Sequence, residues 1–124
     1  MRPVLSDTSA YAACMRGDPD IVETLAHAAR LFMCSAVMGE LLAGYAAGSR
    51  EAKKREELNR FLNTPRVSVL PVTTNTAHSY AMVRAALRRK GQPVATHGLW
   101  IAASALEHGV ARLSLDGRFA QSTA

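Results

Sequence analysis

Three acidic residues follow short apolar runs that are typical of β-strands. Asp7 follows the first run, Glu40 lies about one helical turn beyond the second, and Asp116 follows the last. In an open α/β sheet, ligands gather outside the carboxyl ends of the strands, so we expect these acids in one cleft. Grouped carboxylates repel one another unless a cation neutralises them, and hard oxygen ligands favour Mg²⁺ or Mn²⁺. Such a site beside a basic surface suits phosphodiester hydrolysis.

Each acid also has a simpler structural explanation. Asp7 could cap the helix that follows it, and Asp116 beside Gly117 could form a turn. Glu40 is harder to explain in this way, because apolar residues surround it in the sequence and a carboxylate there needs a partner. The spacing alone leaves both interpretations open.

The elements that must position these acids alternate along the chain. The predicted strands are Val4–Ser6, Leu31–Cys34, Val67–Leu70 and Val110–Leu113. The predicted helices follow Asp7, begin at Asp18-Pro19, are capped by Ser35, and span Arg50–Asn63, Thr74–Lys90 and Leu99–Glu107. This alternation predicts an α/β fold with three α/β/α layers and a short central parallel sheet of about four strands. We expect residues 1–124 to form a single domain.

The composition is that of a basic globular protein. The 124 residues are 48% hydrophobic and 20% charged, with a formal net charge of +5. Twelve of the 15 cationic residues are Arg, whose planar fork of donors suits phosphate and carboxylate groups. The balance favours a polyanionic partner, either nucleic acid or an acidic protein segment. A soluble basic protein with no such partner is the alternative.

Several other classes of protein lose support. The two cysteines, Cys14 and Cys34, form neither a disulfide framework nor a zinc motif, and we interpret both as buried free thiols. No apolar run reaches the roughly 18 residues that a membrane span needs, and an acid at position 7 comes too early for a signal peptide. We therefore expect a cytoplasmic protein. No nucleophile-elbow, zinc-protease or phosphate-loop motif is present.

Four segments resemble the motifs of PIN-domain ribonucleases, and most closely the VapC toxins of VapBC toxin–antitoxin pairs. They are LSDTSAY at 5–11, SAVMGELLAG at 35–44, AALRRKGQP at 85–93 with LWIAASAL at 99–106, and LSLDGRF at 113–119. The resemblance covers nearly the whole chain in the right order. It implies a Mg²⁺- or Mn²⁺-dependent endoribonuclease that acts on structured RNA such as tRNA or rRNA. It also implies a homodimer held inactive by a VapB antitoxin.

The resemblance assigns roles to individual residues. The residues that match the family's carboxylates and their accompanying hydroxyls are Asp7, Thr8, Ser9, Glu40, Ser114 and Asp116. The three acids would hold the metal and activate water for in-line attack on a phosphodiester. The hydroxyls would orient a ligand carboxylate or a bound water.

One position departs from the family pattern. Where the family usually has Asn-Asp before its Trp-containing helix, this chain has His97-Gly98. A substitution that silences the enzyme, a site that works with three acids, or a nitrogen ligand from His97 that favours Mn²⁺ could each explain this. The rival to a weakened nuclease is an inactive PIN-fold module that only binds RNA or an antitoxin.

Features outside the motifs have two interpretations each. Trp100 could stack on an RNA base, but its apolar neighbours favour packing. The cations Arg88, Arg89 and Lys90 could grip phosphate or an antitoxin, or could simply complement a helix dipole. The family often adds a strand after its last motif, and the few residues beyond Phe119 lead us to expect that this strand is missing.

Overall fold

The computed structural model describes residues 2–92, 96–115 and 118–120. The strands are β1 (Val4–Ser6), β2 (Leu31–Cys34), β3 (Val67–Leu70), β4 (Ala111–Ser114) and β5 (Arg118–Ala120). The helices are α1 (Thr8–Met15), α2 (Pro19–His27), α3 (Ser35–Ala47), α4 (Glu51–Leu62), α5 (Thr74–Arg89) and α6 (Thr96–His108).

The strands form one sheet in the order β3-β2-β1-β4-β5. The first four are parallel, which confirms the predicted α/β fold with its short parallel sheet. A fifth strand, β5, begins inside the last motif and pairs antiparallel with β4. Residues 121–124, on which the expectation of a missing strand depends, lie outside the described residues, so that expectation stays a prediction. An antiparallel strand needs only a short turn to reach its neighbour, so a few residues suffice to cover the open edge of β4.

Apolar side chains cover both faces of the sheet. Leu5 and Met33 belong to one buried cluster, whereas Val4 and Leu31 belong to a second. Neighbouring residues of a strand point to opposite faces, so one short strand serves both clusters. Strands buried on both faces are typical of parallel sheets and explain the nearly continuous apolar runs in the sequence.

Local capping sets where the helices begin. Asp18 stands before α2 and its carboxylate accepts hydrogen bonds from two backbone N–H groups, with Pro19 as the first helical residue, as predicted. The prediction that Ser35 caps α3 is wrong: Ser35 is the first residue of the helix, and Cys34 occupies the cap position without a side-chain bond. The strand stays extended through Cys34, so the turn into the helix comes one residue earlier than the capping pattern suggested.

Helix α6 begins before the predicted start, and this change affects the site. It starts at Thr96, so Gly98 lies in its first turn. Two contacts fix α6 against α5: Thr76 Oγ1 donates to Glu107 Oε1 at 2.5 Å, and the rings of Tyr80 and Trp100 stack with centroids 4.2 Å apart. Trp100 therefore packs, as its apolar neighbours indicated.

Both cysteines are free, but only Cys34 is buried, and Cys14 is half-buried. Burial raises the pKa of each thiol. Among the described helices, none has the length and apolar character to cross a bilayer.

Candidate functional site

Asp7 lies at the carboxyl end of β1 and is only 5% exposed. Its backbone N–H donates to the carbonyl oxygen of Leu113 on the neighbouring strand at 3.0 Å. Its Oδ1 accepts hydrogen bonds from the N–H of Ala10 at 2.9 Å and the hydroxyl of Ser9 at 2.8 Å. Asp7 is thus the cap of α1, and the cap fixes the orientation of a carboxylate that faces the edge of the sheet.

Glu40 has the partner that its apolar neighbours required. It lies half-buried on α3, and its Oε1 accepts a hydrogen bond from the hydroxyl of Thr8 at 2.7 Å. Thr8 follows Asp7 directly in the chain, so this bond draws the second predicted acid to the first. The sequence prediction that Asp7 and Glu40 share one cleft stays a prediction, and this contact links Glu40 to the residue next to Asp7.

The end of β4 is tied to the same place through Ser9. The N–H of Leu115 donates to Ser9 Oγ at 3.0 Å, while the Ser9 hydroxyl donates to Asp7. Ser114 is the last residue of β4 and is half-buried. The third predicted acid, Asp116, and Gly117 lie outside the described residues. What the structure describes is the chain immediately before Asp116, which is held beside α1.

Gly98 is buried in the first turn of α6 and brings no carboxylate to the cleft. Its backbone carbonyl accepts a hydrogen bond from Nη1 of Arg112 at 3.4 Å. The side chain of His97 lies outside the described part of the chain, so its predicted alternatives stay predictions.

Arg112 is a member of the site that sequence reasoning missed. Its Nη2 lies 3.4 Å from Asp7 Oδ2, and the two side chains are 27% and 7% exposed. The missed signal was strand alternation: Ala111 and Leu113 are buried on β4, so the residue between them points to the other face of the strand. A charged residue in a four-residue strand needs an acidic partner or solvent.

The described acids are of the type that binds a divalent cation, but only two of the predicted three are among the described residues. Asp7 and Glu40 supply the carboxylate oxygens that Mg²⁺ and Mn²⁺ prefer. Within residues 2–92, 96–115 and 118–120, no group of three or more His, Cys, Asp or Glu side chains is placed to hold a metal. Asp116, the third predicted ligand, lies outside these residues, so its role stays a prediction.

The PIN domain family matches residues 4–123, nearly the whole chain. The chain belongs to the PIN domain family. Comparison with curated proteins gives no match. The family as a whole is generally dependent on divalent metal, in keeping with the acids at the sheet edge.

Solved structures of VapBC complexes share this fold. VapBC2 of Rickettsia felis, bound to promoter DNA, is 20% identical with a TM-score of 0.80, over 90% of this chain and 86% of that one. VapBC-5 of Mycobacterium tuberculosis is 25% identical with a TM-score of 0.75, over 100% and 97%. VapC20 of the same organism, a toxin that cleaves the sarcin–ricin loop, is 19% identical with a TM-score of 0.66, over 92% and 90%. The predicted resemblance to PIN domains of the VapC type is confirmed, and it supports a nuclease-type hydrolase.

This PIN domain also has a basic cleft of about 320 Å³, bounded by α1, α3 and α4. Its charged lining is Arg16, Arg50, Lys53, Lys54 and one acid, Glu57. Lys54 Nζ lies 5.8 Å from the ring centroid of Tyr45, within reach of a cation–π contact. Throughout the part of the chain that the structure describes, none of these four cations forms an ion pair. The cleft therefore presents an excess of positive charge, four cations against one acid, beside aromatic surface.

Proposed function

We propose that this chain is a metal-dependent endoribonuclease of the VapC toxin type that cuts structured RNA such as tRNA or rRNA. Asp7, Glu40 and Asp116 hold Mg²⁺ or Mn²⁺ in this proposal. The single observation that supports it is the hydrogen bond to Glu40 from Thr8, the residue directly after Asp7, in a chain of the PIN domain family. The whole chain acts as one domain, and it works in the cell as a homodimer with a VapB-like antitoxin.

The chain's own residues prepare the site for an in-line displacement. A divalent cation, when bound, supplies a Lewis acid and lowers the pKa of water. The α1 cap holds Asp7 in one orientation, because two donors engage its Oδ1. The Thr8 hydroxyl fixes Glu40, and Ser9 holds the chain before Asp116 against α1. Oriented oxygens of this kind lower the cost of arranging ligands around a cation.

The basic cleft supports an RNA substrate. RNA backbones bind grooves of positive charge, and aromatic rings add stacking surface for unpaired bases. Lys53 and Lys54 on α4 supply the positive charge, and Tyr45 supplies the ring on α3, the helix that also carries Glu40. VapC20 is a toxin that cleaves the sarcin–ricin loop, which supports the proposed substrate, and the VapBC family of toxin–antitoxin systems supports an antitoxin partner.

One observation favours the second candidate, an inactive module that binds RNA or an antitoxin. Gly98 supplies no carboxylate where the family usually has one, and Arg112 already lies against Asp7. Fewer acids and an internal cation both reduce the attraction for a metal. We therefore propose that the nuclease is weakened in its present sequence.

The two candidates separate when the missing acid is restored. Purified wild type, Gly98→Asp and Gly98→Asn are incubated with tRNA and with ribosomal RNA in millimolar Mn²⁺. We expect Gly98→Asp to cleave roughly 10–100-fold faster than wild type, since a restored ligand or outer partner changes metal affinity by that order. Gly98→Asn is the matched control, because it also replaces a helical glycine but adds no charge.

Adding Asp7→Asn to Gly98→Asp identifies the source of any cleavage. The double variant should lose the gain if Asp7 is a ligand. Cleavage that survives Asp7→Asn would come from a contaminating nuclease and would count against the proposal. If Gly98→Asp is as inactive as Gly98→Asn, the nuclease proposal fails and the binding module stands.

A further inference from the structure

We propose that Arg112 is a built-in counter-cation of Asp7, whose guanidinium competes with a divalent metal for Asp7 Oδ2. The inference deepens the proposed function and rests on its claim that the carboxylates hold a metal. It assigns to a residue of this chain the charge neutralisation that a metal would otherwise provide. Arg112 would also neutralise the charge of the buried Asp7 when no metal is bound, while glycine stands at position 98.

The guanidinium spans two elements with separate nitrogens. Nη1 donates to the Gly98 carbonyl on α6, and Nη2 faces Asp7 Oδ2 at the end of β1. Parallel pairing places Arg112 opposite Leu5, two residues before Asp7, so the long side chain extends toward the carboxyl edge of the sheet. This bridge connects two of the four positions at which the family pattern has acids, 7 and 98.

The two contacts are long for a charged pair. Both measure 3.4 Å, whereas strong guanidinium–carboxylate bonds measure about 2.7–2.9 Å. The Asp7 Oδ1 is held by two shorter bonds, so Oδ2 is the more weakly engaged oxygen. The guanidinium therefore neutralises Asp7 and remains displaceable, and 27% of its side chain is exposed to solvent.

Two residues make the site less negative than a cluster of four acids would be. Glycine at position 98 removes one negative charge, and Arg112 adds one positive charge, so the site is two units more positive than four acids alone would make it. Among the described residues, Asp7 and Glu40 contribute −2 and Arg112 contributes +1, which leaves −1. A divalent cation is attracted far less by this arrangement than by an unopposed cluster of acids.

The test measures Mn²⁺ binding to the intact protein by calorimetry, independently of cleavage. We expect Arg112→Gln to bind Mn²⁺ roughly 10–100-fold tighter than wild type, the range typical of groups that surround metal ligands. Arg84→Gln is the matched control, because it removes the same charge from an exposed residue on α5 that bonds only to Tyr80 among the described residues. Its Mn²⁺ affinity should stay within about twofold of wild type, since an exposed charge is screened by solvent.

Two more variants keep the result decisive. Arg112→Met also removes the charge and keeps a long unbranched side chain, so it should tighten Mn²⁺ binding as well and replaces Arg112→Gln if that variant folds poorly. Unchanged or weaker binding in folded Arg112 variants overturns the inference. The double variant Gly98→Asp/Arg112→Gln separates the two claims. If it binds no Mn²⁺, the metal site of the proposed function fails as well; if it binds no tighter than Gly98→Asp alone, only the role of Arg112 fails.

Discussion

The acid site and the basic cleft share two helices but hold their charges in opposite ways. The first turn of α1 carries Thr8 and Ser9 at the acid site, and Arg16, the residue that caps its C-terminus, lines the cleft. The Asp7 oxygens and Glu40 Oε1 meet specific donors at 2.7–3.4 Å. The cleft cations have no ion pairs among the residues that the structure describes.

The difference indicates two kinds of recognition. A preorganised set of oxygens suits a small ion, whose binding depends on geometry at the scale of tenths of an ångström. Unpaired cations on a helix surface suit a long anionic chain, whose binding depends on charge and salt. Helices α1 and α3 thus connect the acid site, which suits a metal ion, to the basic cleft, which suits a long anionic chain.

The largest effect on the free energy of unfolding is expected from substitutions of Asp7 at the acid site. Asp7→Ala removes the α1 cap and leaves Arg112 without its carboxylate, so we expect a loss of about 2–4 kcal/mol in the free energy of unfolding. Asp7→Asn keeps an oxygen that can accept the Ala10 N–H, so it should cost about 1 kcal/mol less than Asp7→Ala. Urea denaturation of both variants measures the two losses.

A third variant separates the cap from the rest of the network. Ser9→Ala removes the hydroxyl that links Asp7 to Leu115 and should cost about 1 kcal/mol. If Asp7→Ala and Asp7→Asn are equally unstable, the cap contributes little and the ion pair dominates. If both are as stable as wild type, the hydrogen bonds of Asp7 do not stabilise the acid site, and the site does not differ from the cleft in this respect.

The sequence predicted the parts of this site that depend on neighbours in the chain. Asp7 as the residue after β1, the start of α2 at Pro19 and the parallel sheet all follow from short patterns. Arg112 was missed because its partner Asp7 lies 105 positions away, and their contact depends on the pairing of β1 with β4. Likewise, no local pattern shows that Thr8 reaches Glu40, 32 residues later.

The next effect tests the basic cleft. Lys53→Glu/Lys54→Glu reverses two charges that line it, so tRNA affinity at low salt should fall about tenfold or more. The dependence of log affinity on log salt should become shallower by about 1.4–1.8, since each lost phosphate contact removes roughly 0.7–0.9 from the slope. Filter binding at several salt concentrations measures both quantities.

The control for this variant must change net charge equally. Arg60→Glu/Arg84→Glu does so at exposed positions on α4 and α5 that do not line the cleft. We expect this control to lose much less affinity. Equal losses in the two variants would mean that RNA responds to the overall charge of the protein, and the cleft would then have no special role.

The smallest effect concerns Tyr11, which lies on α1 between the two regions. It is 1% exposed, packs against Phe61 and also borders the cleft. Burial, and then the neighbouring Tyr45, raise its pKa above the usual value of 10.0.

A raised pKa in the folded state contributes stability that is complete below the unfolded pKa and is lost as pH rises through the folded value. Above about pH 10, the free energy of unfolding of wild type should therefore fall more steeply than that of Tyr11→Phe, by up to about 1.4 kcal/mol per pH unit. Tyr45→Phe, at a half-buried tyrosine whose pKa burial also raises, should change the slope less. Urea denaturation from pH 8 to 11 measures the slopes. Identical curves for wild type and Tyr11→Phe would mean that the Tyr11 hydroxyl is solvated by the cleft and would contradict its burial between the two regions.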